Sequence, residues 1–291
     1  MKKNLDTIIK NWVNLENFLS NKIKYYTVYY IPKADGKRWR KICTPSEDLK
    51  LIQRSILAEL SNIVMPEYIH GFVSGKSVKT NAVCHQNKPL VMSLDILNFF
   101  GSTTFDMVRK SIPDHMFSCD TMDMITEIAT LDNGLPQGSP ISPILANLSF
   151  LPIDSILSTL AGRNDGVYSR YADDMTISSY DRGSHDIIRY MESIINDHGY
   201  MVNAKKTRVF GRGNRQVVTG LVVNEKTQPS SKYKRTIKAK LHNLVRDGAT
   251  EYCMASIRGE CNWIRKFNDN FYDKYLESNL IKLEEMVDGV F

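Results

Sequence analysis

Two adjacent carboxylates inside a strand-like stretch constrain this chain more than any other feature. From Val167 to Ser178, β-branched and aromatic residues alternate with small polar ones on both sides of Ala172 and Asp173. The alternation predicts two strands joined by a tight turn, a β-hairpin. The turn carries Asp173 and Asp174, whose like charges repel unless a multivalent cation neutralises them, and Mg²⁺ prefers such oxygen ligands. A solvated turn is the alternative interpretation, because Asp is a common turn residue.

Composition and charge bound the class of protein. The chain has 291 residues, enough for a large core and more than one subdomain. Its net charge of +6 favours an anionic partner without identifying one. The five cysteines form no CxxC pair or Cys/His zinc spacing, which predicts free thiols in a reducing compartment. The polar N-terminus is unlike a signal peptide and no apolar run approaches membrane-spanning length, so we expect a cytoplasmic protein with no membrane partner.

The N-terminal third predicts an amphipathic helix, a basic hairpin and a second helix. The apolar residues of the first helix recur at helical spacing: Ile8, Ile9, Trp12, Leu15, Phe18 and Leu19. The strands at 25–31 and 37–43 follow, and a helix is predicted from Glu47 to about Ile63. Arg38 and Arg40 lie on one face of the second strand, where their guanidinium groups can fork onto phosphate oxygens. An exposed strand whose lysines discourage edge pairing is the alternative.

A third carboxylate, Asp95, lies in a buried-type strand from Leu90 to Phe100. An ionised Asp within an apolar run is costly unless it is paired or bound to a metal. No adjacent cation in the sequence can pair with it, so a metal is a reasonable candidate.

The pattern continues with further elements. A rigid turn at 134–143 precedes a helix from Ile144 to about Leu160, broken or bent at Pro152. Two more strands are predicted at 201–210 and 216–223.

The segment 226–246 contains seven basic residues and no acidic one. It predicts a helix with one apolar face. A solvated basic face is the alternative, but solvated faces usually mix both signs of charge. A one-sign run beside an apolar stripe is better explained by contact with a nucleic-acid backbone.

Together these features predict a polynucleotide polymerase. Asp95, Asp173 and Asp174 can meet if their strands are neighbours in one sheet. Two Mg²⁺ ions held by such a cluster would stabilise the attacking and leaving oxygens of a phosphoryl displacement. The basic strand then suits a triphosphate, and the basic helix suits a duplex.

Three palm-like motifs resemble those of reverse transcriptases. They are Leu94–Phe100, Leu135–Pro140 and Tyr171–Asp174. Two further motifs resemble those of bacterial retron reverse transcriptases: Asn81–His85 matches NAxxH, and Val218–Gly220 matches VTG. The resemblance runs from about Tyr25 to Lys240. It departs at Gly101, where retron proteins often have proline.

The resemblance implies an α+β right-hand polymerase fold. Residues 1–90 would form an N-terminal helix and the fingers. Residues 91–225 would form the palm, an antiparallel sheet backed by helices, with interleaved fingers helices. Residues 226–291 would form a helical thumb.

The resemblance also implies roles for individual residues. The metal set is Asp95, Ile96, Asp173 and Asp174, and the catalytic set is Asp95, Asp173, Asp174 and Lys206, with Lys206 protonating the leaving pyrophosphate. The nucleotide-binding set is Arg38, Arg40, Phe100 and Gln137, with Phe100 as the gate that crowds a ribose 2′-hydroxyl. The nucleic-acid-binding set is Asn81, His85, Lys232, Lys234, Arg235, Lys238 and Arg246. Asn81 and His85 could touch RNA directly or brace the local loop, and bracing is favoured.

The implied function is RNA-directed DNA synthesis with two Mg²⁺ ions and dNTPs. Such proteins prime from an internal 2′-hydroxyl of a cognate structured non-coding RNA and make branched msDNA, commonly in anti-phage defence with an effector or toxin protein. A group II intron maturase is one alternative, although it is expected to carry a maturase domain where only a short segment follows Arg246. A non-catalytic RNA-binding scaffold or antitoxin component is the other, and the intact triad and Gln137 disfavour it. No RNase H domain fits, so template removal would need another enzyme.

Overall fold

The computed structural model describes residues 7–9, 12, 15–33, 36–180, 185–248 and 250–288. Part of the predicted N-terminal amphipathic helix lies outside these residues. Within them, Ile9 and Phe18 are buried in the main core, and Trp12 packs against the Phe18 ring with centroids 5.3 Å apart.

The strands follow the chain in this order: β1 (Tyr26–Pro32), β2 (Trp39–Pro45), β3 (Leu90–Asp95), β4 (Gly166–Tyr171), β5 (Asp174–Ser179), β6 (Arg208–Gly211), β7 (Val217–Val218), β8 (Leu221–Val222) and β9 (Gln228–Pro229). β1 and β2 form the predicted basic hairpin. β3 to β6 form the central antiparallel sheet in the order β4-β5-β3-β6.

Helices pack on this sheet and build the C-terminal part of the molecule. They are α1 (Leu15–Ser20), α2 (Glu47–Leu60), α3 (Val78–Val83), α4 (Phe99–Ser102), α5 (Phe105–Ser111), α6 (Cys119–Ala129), α7 (Ser142–Arg163), α8 (His185–Asp197), α9 (Ser231–Asp247), α10 (Glu251–Arg265), α11 (Asp269–Tyr272) and α12 (Ser278–Asp288). A π-helical turn, Asp273–Glu277, joins α11 to α12.

β3 is one of the two inner strands of the sheet and is apolar on both faces. Leu90, Met92 and Leu94 belong to the main core, whereas Val91 belongs to a smaller cluster on the other side of the sheet. A strand covered on both faces gains burial along its whole length. This position carries Asp95, the last residue of β3, into the middle of the molecule.

The helix α7 runs unbroken through Pro152, so of the two predicted alternatives, a break or a bend, the break is wrong. Proline removes one backbone donor, but Phe150 and Ile153 on either side are buried and keep the helix packed on the core. By length and composition α7 could also cross a membrane, with a mean hydropathy of 1.5 over its best window. Half of that window is buried inside the protein, as in the core helix of a globular domain.

Three predicted strands are much shorter than expected. In the 90–100 stretch the strand β3 ends at Asp95, because the chain turns into helix α4 at Phe99. In the 201–210 stretch only β6 forms, because Asn203 to Lys206 make a turn closed by a 2.8 Å backbone hydrogen bond. In the 216–223 stretch the chain reverses between β7 and β8. Thr219 and Gly220 both have positive φ, 44° and 84°, as a tight hairpin turn requires.

The C-terminal helices have a core of their own. The apolar face predicted for the basic segment is confirmed, since Ile237 and Leu241 of α9 are buried against residues of α10 and α12 such as Ile257 and Leu283. Trp263 of α10 packs instead against the cluster that contains the β7–β8 hairpin.

Candidate catalytic site

Three carboxylates meet at one end of the central sheet. β3 ends at Asp95 and β5 begins at Asp174, and these residues lie opposite each other in the antiparallel register. Asp173 lies in the turn between β4 and β5, and its carbonyl accepts a 3.0 Å hydrogen bond from the Ile96 N–H. The prediction that the two carboxylate-bearing strands are neighbours is confirmed.

The turn that carries Asp173 and Asp174 is held in a left-handed conformation. Ala172 has φ +57°, a region that residues with a Cβ seldom occupy. Its carbonyl accepts a 3.1 Å hydrogen bond from Arg170 Nη1. Gly71 packs so closely that a Cβ there would lie 2.3 Å from the Ala172 nitrogen. These contacts fix the backbone that presents both carboxylates.

Arg170 itself belongs to a fully buried ion pair. Its guanidinium donates to both carboxylate oxygens of Asp154 on α7, at 2.8 and 2.7 Å, and both side chains are 0% exposed. Tyr168 donates to the same carboxylate at 2.6 Å, and Asn147 Oδ1 accepts from Arg170 Nη1 at 2.9 Å. The Phe150 ring lies 4.9 Å from the guanidinium carbon. A buried pair is tolerated when its remaining hydrogen-bonding atoms are satisfied in this way.

Lys206 and Asn203 hold the Asp95 carboxylate. Lys206 Nζ lies 2.6 Å from Oδ2, and Asn203 Nδ2 donates to Oδ1 at 3.0 Å. Burial acts to lower the pKa of Lys206, but its hydrogen bond to Asp95 and the negative charges of the triad outweigh burial and raise it. The ammonium therefore stays protonated and serves as the counter-charge of Asp95.

Nearby cations compensate the negative charge of the other two carboxylates only in part. Desolvation and repulsion from Asp95 raise the pKa of Asp173, against the opposing charges of Lys206 and Arg40. Asp174 reaches solvent, yet desolvation and repulsion from Asp173 and Asp95 raise its pKa to about 6. A bound divalent cation would relieve this repulsion.

The donor chemistry of the triad fits a hard cation, because all its side-chain ligands are carboxylate oxygens. Within the described residues, no group of three or more His, Cys, Asp or Glu side chains is arranged as a complete ion site. The Lys206 ammonium supplies the positive charge beside the Asp95 carboxylate.

A cavity of about 410 Å³ lies between the basic hairpin and the turn before α7. Arg40 and Gln137 both line it, so the structure brings these two predicted nucleotide-binding residues together. The Cys43 N–H donates to the Gln137 carbonyl at 2.7 Å and ties the hairpin to the turn. Gly138 allows this approach, since it has φ +115° and a Cβ there would lie 2.9 Å from the Cys43 oxygen.

The remaining predicted nucleotide-binding residues lie nearby. Phe100 is half-buried on α4, with its ring centroid 5.6 Å from that of Phe99. Arg38 lines a different groove, together with Asn203 and Lys206. The basic hairpin therefore faces the site with Arg40 on the Gln137 side and Arg38 on the Lys206 side.

Comparisons with known proteins agree with this geometry. A family model described as reverse transcriptase (RNA-dependent DNA polymerase) matches residues 31–236. The retron Ec86 reverse transcriptase of Escherichia coli is 30% identical over 269 residues, which cover 89% of this chain and 82% of that protein. The chain belongs to the retron reverse transcriptases.

Two further retron relatives come from Myxococcus xanthus. The Mx65 reverse transcriptase is 31% identical over 267 residues and 85% of this chain, and the Mx162 reverse transcriptase is 32% identical over 259 residues and 75% of this chain. This retron family member spans 62% and 52% of the length of these two relatives.

Solved structures support the fold alone. A telomerase from Candida albicans aligns with a TM-score of 0.51 at 11% identity, over 90% of this chain and 60% of that chain. A foamy viral protease–reverse transcriptase aligns with a TM-score of 0.51 at 17% identity, over 91% and 43%. The retron family member therefore has the α+β right-hand polymerase fold that its motifs implied.

The NAxxH side chains of this retron family member face inward. Asn81 and His85 are both 0% exposed, so they cannot touch nucleic acid in this structure. The Ser169 hydroxyl donates to Asn81 Oδ1 at 2.6 Å. The Ser169 oxygen therefore accepts from His85 Nε2 at 2.7 Å, and His85 Nδ1 accepts from the Ser178 hydroxyl at 2.7 Å. Burial lowers the pKa of His85 to about 3, which keeps it neutral. The prediction that these two residues contact RNA directly is therefore wrong for this structure. Their hydrogen bonds instead brace α3 against β4 and β5.

The same brace reaches the VTG motif. Asn81 Nδ2 donates to Thr219 Oγ1 at 3.4 Å, and Thr219 Oγ1 donates to the Val78 carbonyl at 3.2 Å. The two motifs that singled out retron proteins in the sequence therefore meet behind the palm sheet.

The basic residues of α9 differ in their surroundings. Lys232, Arg235, Lys238 and Arg246 are exposed, although Arg246 pairs with Asp247 at 2.7 Å, and Lys240 pairs with Glu260 at 2.7 Å. Lys234 and Lys238 lie over aromatic rings of the following helices, 5.3 Å from the Phe271 centroid and 4.2 Å from the Tyr275 centroid. Lys232 and Arg235 are therefore the basic residues of α9 most available to a phosphate backbone.

Sequence reasoning missed the residues that support the triad: Gly71, Asn147, Asp154, Arg170 and Asn203. The available signal was weak. Arg170 sits three residues before Asp173, inside a strand pattern whose other residues are apolar or small, and an unpaired cation there needed a buried partner.

Proposed function

We propose that this chain is an RNA-directed DNA polymerase that adds dNTPs to a primer on an RNA template. The convergence of Asp95, Asp173 and Asp174 at one sheet end, beside the cavity lined by Arg40 and Gln137, carries the proposal. Membership of the retron reverse transcriptases supports it. We also propose that residues 1–90, 91–225 and 226–291 act as fingers, palm and thumb.

The triad would hold Mg²⁺, with two ions sharing Asp95, Asp173, Asp174 and the Ile96 carbonyl. Ions bound there would activate the attacking hydroxyl and neutralise charge on the transferred phosphate. Asp95 would help to hold the metal, and the Lys206 ammonium, which lies 2.6 Å from its Oδ2 oxygen, would then have to give up that contact. Lys206 is then a protonated group beside the site, able to give its proton to the leaving pyrophosphate.

The surrounding residues select and orient the nucleotide. Arg40 and Arg38 offer planar donors to the triphosphate from the basic hairpin, and Gln137 lies against the sugar. Phe100 crowds the position of a 2′-hydroxyl, which favours dNTPs over rNTPs. Exposed Lys232 and Arg235 hold the RNA–DNA duplex through its phosphates.

The retron relatives support a more specific role. We propose that a cognate structured non-coding RNA supplies both template and primer, that synthesis starts from one internal 2′-hydroxyl, and that the product is branched msDNA. An effector or toxin protein in anti-phage defence would complete the system. Selection of one RNA must come from surfaces outside the triad, because the triad contacts only phosphates and metal ions.

One experiment separates general polymerase activity from this specific role. Purified protein is given Mg²⁺, dNTPs and either an annealed RNA template with a DNA primer or the structured RNA encoded beside the gene, without primer. Incorporation on both substrates supports the full proposal, with a branched product on the structured RNA. Incorporation on the annealed substrate alone refutes self-priming, and incorporation on neither refutes polymerase activity.

A matched variant tests the role of α9. Replacing Lys232 and Arg235 by Ala should reduce initiation on the structured RNA more than extension of the annealed primer. Equal losses in both reactions would mean that α9 is a general duplex grip and that RNA selection lies elsewhere.

A further inference from the structure

The loop His70–Phe72 packs against the turn between β4 and β5 that carries Asp173 and Asp174. The His70 N–H donates to the Arg170 carbonyl at 2.8 Å, and Asn147 Nδ2 donates to the Gly71 carbonyl at 2.9 Å. Glycine is required at 71 because a Cβ would lie 2.3 Å from the Ala172 nitrogen. The path of the loop is therefore set by the same residues that set the turn.

This fixed path places Phe72 in a conformation that a bulky residue seldom adopts. Phe72 has φ +60°, the left-handed region in which glycine is strain-free. Its side chain is 53% exposed, so burial does little to offset the strain. Strained conformations at bulky residues persist where surrounding structure over-determines them, and they cluster at functional sites.

The Phe72 ring contacts the predicted sugar gate. Its centroid lies 6.1 Å from that of Phe100, with the rings inclined at 59°. Phe100 also contacts Phe99, which is buried in the main core and packs on Phe150. The Phe100 ring thus contacts both a core ring and an exposed ring.

We propose that Phe72 is a positioning residue for sugar selection, an inference that rests on the proposed polymerase function. The Phe72 ring limits outward rotation of Phe100, so that Phe100 keeps crowding the 2′ position of the incoming nucleoside triphosphate. Without Phe72, Phe100 keeps its core contact but can turn towards solvent and admit a ribose.

The test measures the ratio of kcat/KM for a dNTP to that for the matching rNTP in single-nucleotide incorporation. Aromatic ring pairs contribute enough energy to predict a loss of discrimination of roughly 2- to 12-fold for Phe72→Gly. The loss should come from better use of rNTP, seen as a lower KM for the rNTP. Phe72→Leu keeps bulk at the position and should restore part of the discrimination.

Stability measurements separate this role from a structural one. Because glycine accepts φ +60° without strain, Phe72→Gly should melt no lower than wild type while discrimination falls. Asp165→Gly is the matched control, since Asp165 also has positive φ, 48°, in an exposed turn remote from the gate. It should leave the dNTP-to-rNTP ratio unchanged.

A double-mutant cycle with Phe100→Ala decides whether Phe72 acts through the gate. Phe72→Gly should have no further effect on discrimination once the Phe100 ring is gone. An unchanged ratio in Phe72→Gly, or an equal loss with and without Phe100, overturns the inference. A wild-type protein that incorporates no dNTP refutes the proposed polymerase function instead, so the two failures are distinguishable. If Phe72→Gly melts well below wild type, the loop role is structural and the inference is also overturned.

Discussion

Replacing Arg170 by Met should destabilise the protein strongly, because it strands a buried charge. The Asp154 carboxylate is 0% exposed, and without Arg170 the one hydrogen bond it keeps from the described residues is the 2.6 Å bond from Tyr168. Removing one partner of a buried ion pair costs about 3–5 kcal/mol. For a chain of this size that is a fall in Tm of roughly 5–8 °C.

A second substitution identifies the cause of that loss. Asp154→Asn keeps an oxygen that accepts from Tyr168 but removes the charge. The double variant Arg170→Met/Asp154→Asn should therefore be more stable than Arg170→Met alone. Thermal and urea unfolding followed by circular dichroism measure both variants.

The exposed pair of Arg258 and Glu284 provides the matched control. These side chains are 54% and 32% exposed, so solvent screens the pair. Arg258→Met should cost less than about 1 kcal/mol. If the double variant at Arg170 and Asp154 is no more stable than the single one, or if Arg258→Met is equally damaging, the stranded-charge explanation is refuted.

Three further predictions concern the gate, the basic helix and a buried histidine. Phe100→Ala should raise the use of rNTP relative to dNTP in single-nucleotide incorporation, and an unchanged ratio would remove Phe100 from sugar selection. Replacing the exposed Lys232 and Arg235 by Ala should flatten the dependence of log Kd on log salt concentration by about 1 per lost phosphate contact; a drop in affinity with the same slope would contradict phosphate binding. Burial lowers the pKa of His85 from 6.5 to about 3, so the unfolded chain takes up this proton first as the pH falls. The free energy of unfolding should therefore decrease by about 2 kcal/mol between pH 7 and pH 5 through His85 alone, and His85→Gln should remove that part of the decrease.

The sequence predicted the meeting of the three carboxylates well because local patterns encode the strands that carry them. Alternation around Ala172 specifies the β4–β5 hairpin, and the apolar run before Asp95 specifies a central strand. With both carboxylate sites at strand ends, their meeting needs only that β3 and β5 be neighbours. The basic hairpin and the apolar face of α9 were predictable for the same reason.

Long-range hydrogen bonds explain what the sequence did not predict. The sequence pattern from Met201 predicts a strand. Asn203 and Lys206 form a turn instead, because their side chains hydrogen-bond to the Asp95 carboxylate. Arg170 needs a buried partner, but that partner, Asp154, lies on a helix and the sequence alone does not identify it. The strand propensity of a segment reflects only its local preference, and contacts with residues far away in the sequence can override it.

The inward orientation of His85 illustrates the same limit. A histidine in a polar motif suits RNA contact as well as bracing. Only the positions of Ser169 and Ser178 on two separate strands show that both ring nitrogens are satisfied inside the protein.

The most direct test of the central claim is dNTP incorporation on an RNA template by the Asp173→Asn/Asp174→Asn variant. Removing two mutually repelling carboxylates should leave the melting temperature unchanged or higher, because both carry raised pKa values in the folded chain. Wild type should incorporate dNTPs in the presence of Mg²⁺, and the folded variant should show no detectable incorporation at any Mg²⁺ concentration. Incorporation by the variant at the wild-type rate would contradict the assignment of these carboxylates as the catalytic metal site.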